Sequence, residues 1–156
     1  MSATLTIAEP AATVFAVLAD PAAHAAIDGT GWVREPVEQA PLTAVGQIFR
    51  MDMHHSGHPD GDYQVVNKVA VLDAPRAIGW LTGSARGDGE VEYGGWIWRY
   101  DLTPRGPAGT EVTLTYDWSG VPRFVRERGI RFPPFGPAHL IDSLHHLADL
   151  AHRVSV

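Results

Sequence analysis

The sequence predicts a single α+β domain spanning residues 1–156, with a curved antiparallel sheet of about seven strands wrapped on one long C-terminal helix. Three observations predict it. From about residue 32 to 119 the chain reads as strand and turn, with no helical stretch between. The strands alternate apolar and polar residues with period two, so each carries one apolar face. Residues 136–154 then change to spacings of three and four, one apolar stripe along a helix.

The elements follow in order. Residues 3–8 alternate well enough for a short strand. Glu9-Pro10 opens a helix with Pro10 near its first position and Val14, Phe15, Val17 and Leu18 on its apolar side. Asp20-Pro21 ends it and caps a second short helix running to about Ile27; Asp28-Gly29-Thr30-Gly31 breaks the chain. Strands are expected near 32–37, 46–55, 62–73, 76–83, 94–104 and 110–119, separated by Gly-, Pro- and Asp-rich turns such as Pro104–Gly109. Adjacent strands without crossover helices make the sheet antiparallel.

Parity assigns the faces. Phe49, Met51 and Met53 oppose Arg50, Asp52 and His54; Tyr63, Val65, Asn67, Val69 and Val71 oppose Gln64 and Lys68. Trp96, Trp98, Tyr100 and Leu102 oppose Arg99 and Asp101; Val112, Leu114, Tyr116 and Trp118 oppose Glu111, Thr113, Thr115 and Asp117. The sheet thus has one wet face and one apolar face rich in aromatics. The final helix is its cover: Leu140, Leu144, Leu147, Ala151 and Val154 form the stripe, Asp142, Asp149 and Arg153 lie opposite, and His139, His145, His146 and His152 sit at the edges.

Bulk properties exclude several function classes. The chain has 156 residues, enough to bury roughly two-thirds of its unfolded surface without staples. It has no cysteine, which removes disulfides, thiolate nucleophiles and cysteine-held metals. The formal charge is −6 and the basic residues form no stripe, so a nucleic-acid partner is not expected. The cluster of Arg123, Arg126, Arg128 and Arg131 reads as a solvated segment. No apolar run reaches the ~20 residues of a membrane span and no signal peptide is visible, so a cytoplasmic monomer or homodimer, without integral membrane association, is expected.

A helix about 10–12 Å across is narrower than the sheet it covers. The inward set also carries polar tips, Tyr63, Asn67, Tyr100, Tyr116 and His55, and buried polar groups need partners. An apolar space with a few converging polar groups is the usual composition of a small-molecule site. The expected lining is Phe49, Met51, Met53, Tyr63, Val65, Asn67, Trp80, Trp98, Tyr100, Leu114, Tyr116 and Trp118 from the sheet, with Leu140 and Leu144 from the helix.

Three stretches resemble a known family: Pro10–Pro21, the strand pair Trp96–Leu102 and Thr110–Trp118, and Phe132-Pro-Pro-Phe135 leading into Leu140–Leu144. Together they resemble the START-like (SRPBCC) superfamily in its polyketide cyclase/dehydrase branch, over essentially the whole chain. The resemblance implies a helix-grip fold with a deep apolar cavity for a lipid, polyketide, sterol or plant hormone. Some members cyclise or dehydrate such ligands; others carry them or regulate partner proteins. No universal catalytic motif transfers with the fold.

Candidate chemistry is sparse. His54 and His55 point to opposite sheet faces, so with His58 they do not converge on a metal, and neither a metal nor a cofactor is expected. His139, Asp142 and His146 share a side of the last helix that reads as its solvated flank. Asp28 stands where such a fold opens to solvent, and a carboxylate at an apolar mouth can act as acid or base. If catalysis occurs, Asp28, Asn67 and Tyr116, with the other cavity tyrosines, are the candidates to polarise a carbonyl or shuttle a proton. Three functions stay open: a carrier of a small hydrophobic molecule, a metal-free cyclase or dehydratase acting on one, and a protein-interaction or stress module.

Overall fold

The computed structural model describes residues 1–55, 61–127 and 132–155. Seven antiparallel strands form one sheet: β1 (Ser2–Ile7), β2 (Val33–Pro36), β3 (Ile48–His54), β4 (Asp62–Asp73), β5 (Ala77–Ala85), β6 (Val91–Pro104) and β7 (Thr110–Asp117). Their order is β1-β7-β6-β5-β4-β3-β2, so the first two strands form the opposite edges of a meander. Between β1 and β2 lie α1 (Ala11–Leu18), a 3-10 turn (Pro21–Ala23) and α2 (His24–Asp28). A four-residue helix α3 (Arg123–Arg126) and the long α4 (Pro137–Ser155) complete the described elements.

Local chemistry explains the helix boundaries. Pro10 is the N-cap of α1 rather than its first residue; its carbonyl accepts from the Thr13 and Val14 amides at 3.0 and 3.1 Å. The Asp20 carboxylate takes the Ala22 amide at 3.0 Å and starts the 3-10 turn, with Pro21 at its first position. Gly29 ends α2 in the left-handed region at φ 72°. A side chain there would also strike the His146 ring on α4, 2.3 Å from the would-be Cβ, so this close crossing of α2 and α4 needs glycine.

Register shifts interrupt the ladder between β2 and β3 and at two places in the central strands. The β4–β5 register shifts between Val69 and Val71: Val69 faces Trp80, but Leu72 faces Ile78. The bulge hands the inward position from Val71, which parity alone selects, to Leu72, which packs on the core. A second shift separates Leu81/Ile97 from Gly83/Tyr93, and the extra length of β6 is taken up around Gly94-Gly95.

The solid core sits at one end. Helix α4 packs against β1, β7, α1 and α2. Leu140, Leu144, Leu147 and Ala151 are fully buried there with Val14, Leu18, Val112 and Leu114. Val154, the last position of the expected stripe, runs past this core and is exposed. A seven-stranded sheet is about 29 Å wide at 4.8 Å per strand, so one helix covers only part of it. The inner face from β6 to β3 is left for something else.

Arg123 pairs with Glu127 at 2.9 Å, and the Arg126 guanidinium donates to the Trp118 carbonyl at 3.0 Å. These exposed local contacts agree with a solvated basic segment; Arg128 and Arg131 lie outside the described residues. No described helix is long and apolar enough to cross a membrane.

Candidate functional site

The uncovered inner face bounds a cavity of about 640 Å³, within the size range of small-molecule sites. Its wall combines β3–β6, Val33 of β2 and Tyr116 of β7 with α2, the 132–135 segment and the first turns of α4. Exposed Gln64, Ser84 and Pro134 mark where it opens; buried His24, Met51, Asn67, Tyr100, Tyr116 and Ser143 form its depth.

Of the residues that parity selects, Met51, Met53, Tyr63, Val65, Asn67, Trp80, Trp98, Tyr100 and Tyr116 line this cavity, and so does Asp28. Phe49, Leu114, Leu140, Leu144 and Trp118 do not. Phe49 is sealed beneath the His24 and Trp80 rings, each 5.7 Å away edge to face. Leu114, Leu140 and Leu144 face inward but belong to the packed end of the sheet, where α4 leaves no space. Trp118 follows the end of β7 and lies in a separate surface hollow with Met1, Thr115 and Arg126.

Sequence reasoning missed several wall residues. His24, Ile27, Trp32, Thr82, Phe135, His139 and Ser143 all line the cavity, as does Trp96, which parity turns inward but the expected lining leaves out. Trp98 is its aromatic centre, with Tyr116, Phe135 and His139 ring centroids at 4.6, 5.4 and 6.2 Å. The reading of His139 as solvated is corrected. Its side chain is only 14% exposed, because the flank of α4 that carries it overlooks the cavity rather than bulk water. His146 is half-buried as well, its Nδ1 2.9 Å from the Ile27 carbonyl. Asp142 is exposed as expected.

The polar groups are arranged in three places. In the first, Asp28 Oδ1 stands 3.4 Å from His139 Nε2. Its Oδ2 accepts from the Thr30 amide at 3.2 Å and from the Thr30 hydroxyl. In the second, Asn67 and Thr82 face each other across β4 and β5, and the Thr82 hydroxyl donates to Asn67 Oδ1 at 2.8 Å. No buried side-chain nitrogen or oxygen among the described residues lacks a partner. The Asn67 amide nitrogen, with no described partner, is therefore open to the cavity it lines. In the third, Tyr63, Tyr100 and Tyr116 present hydroxyls whose pKa values are pushed up, chiefly by burial and, for Tyr63 and Tyr100, also by the Asp28 charge. They stay protonated and able to donate.

His24 is the buried titratable group of the deep end. It stacks on Trp80 at 4.8 Å, and its Nε2 lies 2.8 Å from the Leu18 carbonyl, to which it donates. Burial lowers its pKa, against the raising influence of that carbonyl and of Asp20. The unfolded chain titrates this group near pH ~6.5, the folded one lower. Acidification below ~6.5 thus puts a proton on the unfolded chain that the folded chain refuses, and stability falls. The slope for one proton is at most about 1.4 kcal/mol per pH unit. Urea midpoints of wild type and His24→Gln measured from about pH 7 to pH 5 should show a shallower fall in the variant. Equal slopes would remove His24 as the cause.

The histidine-rich stretch divides between the two faces of the sheet. His54 pairs with Asp62 at 2.7 Å on the exposed face, while His55 turns to Trp32 at 4.7 Å and the cavity. His58 lies outside the described residues, among which no three His, Asp or Glu side chains converge.

A sheet curved over a C-terminal helix with a cavity beneath it is the helix-grip architecture, the fold that the START-like (SRPBCC) resemblance implies. No protein-family profile matches the chain. The ZhuI aromatase/cyclase of Streptomyces sp. R1128 superposes with a TM-score of 0.67 at 17% identity, covering 100% of this chain and 94% of that one. A norcoclaurine synthase point mutant of Thalictrum flavum, solved with a transition-state analogue, gives 0.61 at 15%, covering 100% and 95%. In sequence, the uncharacterized protein Rv0088 of Mycobacterium tuberculosis is 30% identical over 118 residues, 76% of this chain and 47% of that protein. The chain thus spans about half the length of the curated relatives it matches.

Proposed function

We propose that this chain acts as one ligand-binding domain that holds a small hydrophobic molecule, a lipid, polyketide or other aromatic compound, between sheet and C-terminal helix. One observation carries the reading: a cavity of about 640 Å³ walled by Trp32, Trp80, Trp96, Trp98, Tyr100, Tyr116 and Phe135, with a few polar groups turned into it. Burying apolar ligand surface there gains roughly 25 cal/mol per Å². A fully packed interior would favour the interaction-module reading; the cavity supports the binding one.

A second reading, cyclisation or dehydration of such a ligand, is favoured by the Asp28–His139 contact and the protonated tyrosines. The aromatase/cyclase that shares the fold makes it worth testing. Mass spectrometry of ligand extracted from purified protein, followed by its re-addition, separates the two. Release of the same molecule unchanged supports a carrier, and conversion supports an enzyme. Protein that extracts clean and takes up no planar apolar compound would count against both.

Tryptophan fluorescence gives a direct check, because Trp98 is at the cavity centre and Trp118 outside it. Titration with planar apolar compounds is expected to shift the emission of wild type. Trp98→Phe should weaken the shift and Trp118→Phe should leave most of it. The reverse pattern would misplace the site.

A further inference from the structure

We propose that His139, held by Asp28, is the general base of the cavity and acts on an uncharged, planar carbon acid: a C–H flanked by a carbonyl or comparable electron-withdrawing group. The inference rests on the ligand-binding reading and adds a chemical class to it. Both carboxylate oxygens of Asp28 are engaged, Oδ2 by the Thr30 amide and hydroxyl and Oδ1 facing His139 Nε2 at 3.4 Å. A carboxylate so placed orients an imidazole better than it accepts a proton itself. The Asp28 carboxylate, 3.4 Å from Nε2, favours the tautomer with its proton on Nε2, which leaves the lone pair on Nδ1. Nδ1 has no hydrogen-bond partner among the described residues, where no buried side-chain nitrogen or oxygen lacks one. It is therefore open, on a side chain that lines the cavity.

The surroundings select the substrate. Phe135 lies 4.6 Å from the His139 ring and Trp98 6.2 Å, so a flat conjugated molecule can lie against the same aromatic wall. Among the described lining residues there is no lysine or arginine, and Asp28 is the one carboxylate. A ligand carboxylate or phosphate would lose its water beside the Asp28 charge, with no lysine or arginine among the described lining residues to offset it. An uncharged carbonyl instead finds donors in the Tyr100 hydroxyl and the Asn67 amide.

The step balances within that set. His139 Nδ1 takes the carbon-bound proton. The C–H electron pair becomes the new C=C bond, and the carbonyl π pair moves onto oxygen, where a tyrosine or amide N–H donates to it. His139 keeps the proton until it is returned, or until a β-hydroxyl leaves with it as water. No oxidant, reductant or co-reactant is needed.

The test uses 5-nitrobenzisoxazole, a neutral planar aromatic. A base removes its ring C–H proton, the C–H electrons complete a nitrile, and the N–O bond opens to a coloured phenolate. Saturable opening by the full chain, faster than with an equal concentration of free imidazole, is expected. His139→Gln should lower kcat by about 10²-fold with probe affinity, read by tryptophan fluorescence, unchanged. Asp28→Asn should lower kcat by at least about tenfold with KM unchanged, as a positioning residue requires and a merely structural one does not. His145→Gln, exposed on the same helix, should match wild type. His139→Gln leaves the Asp28–Thr30 turn intact, so the two variants do not share a route to misfolding. Probe that binds wild type yet opens no faster than with His139→Gln overturns this inference and leaves the binding reading standing. Probe that does not bind overturns both for neutral planar aromatics.

Discussion

Leu144→Ala is expected to cost about 2–5 kcal/mol of folding stability, the range for truncating a fully buried leucine. Leu144 has no exposed surface and lies midway along the stripe of Leu140, Leu147 and Ala151 that fixes α4 to β1, α1 and α2. Truncation removes the transfer free energy of the lost carbons and leaves a space that a helix pinned above and below cannot collapse to fill. The same stripe positions His139 and Ser143 over the cavity, so partial loosening of α4 should weaken ligand binding before global unfolding is reached. Urea denaturation gives the midpoint, with Ile141→Ala as the internal control. Ile141 is 40% exposed on the same helix and its truncation should fall within about 0.5 kcal/mol of wild type. Similar losses in the two variants would mean that the buried face of α4 is misassigned.

The stripe was legible because a helix that covers a sheet must repeat apolar residues every three or four positions, and Leu140, Leu144, Leu147 and Ala151 do so without interruption. Period two was equally informative for β3, β6 and β7, where Met51, Trp98, Tyr100 and Tyr116 fall inward as parity requires. It failed at Val71, because a bulge adds a residue to one strand and nothing in Val-Ala-Val-Leu announces it. Parity also gives the inward face without saying which part of it is covered. Leu114 and Tyr116 are successive inward residues of β7, yet one is packed under helices and the other borders the cavity. That distinction depends on where α4 crosses the sheet, a tertiary fact. His139 was lost for the same reason, since a helix flank reads as solvated until the empty space beside it is known. His24 and Trp32 come from a short helix and a loop, which carry no periodicity to read.

Asn67→Leu is expected to lower stability by about 1–3 kcal/mol and to weaken a carbonyl- or hydroxyl-bearing ligand by about three- to tenfold. The two effects arise at opposite ends of one amide. Its oxygen accepts the Thr82 hydroxyl at 2.8 Å across the β4–β5 pair, so leucine leaves that hydroxyl without its partner. Its nitrogen, open to the cavity, is a donor that leucine removes from the ligand's reach. Buried apolar area gained by the leucine offsets part of the first loss and none of the second. Thr82→Val in the Asn67→Leu background removes both partners, and should recover most of the stability while leaving affinity low. Thr82→Val alone keeps the donor, so it should lower stability and hold affinity. Thermal unfolding and ligand titration across this four-protein cycle read the two ends separately. Additive stability losses would show that Asn67 and Thr82 are not a functional pair. Unchanged affinity in Asn67→Leu would mean that the ligand takes its hydrogen bonds elsewhere on the wall.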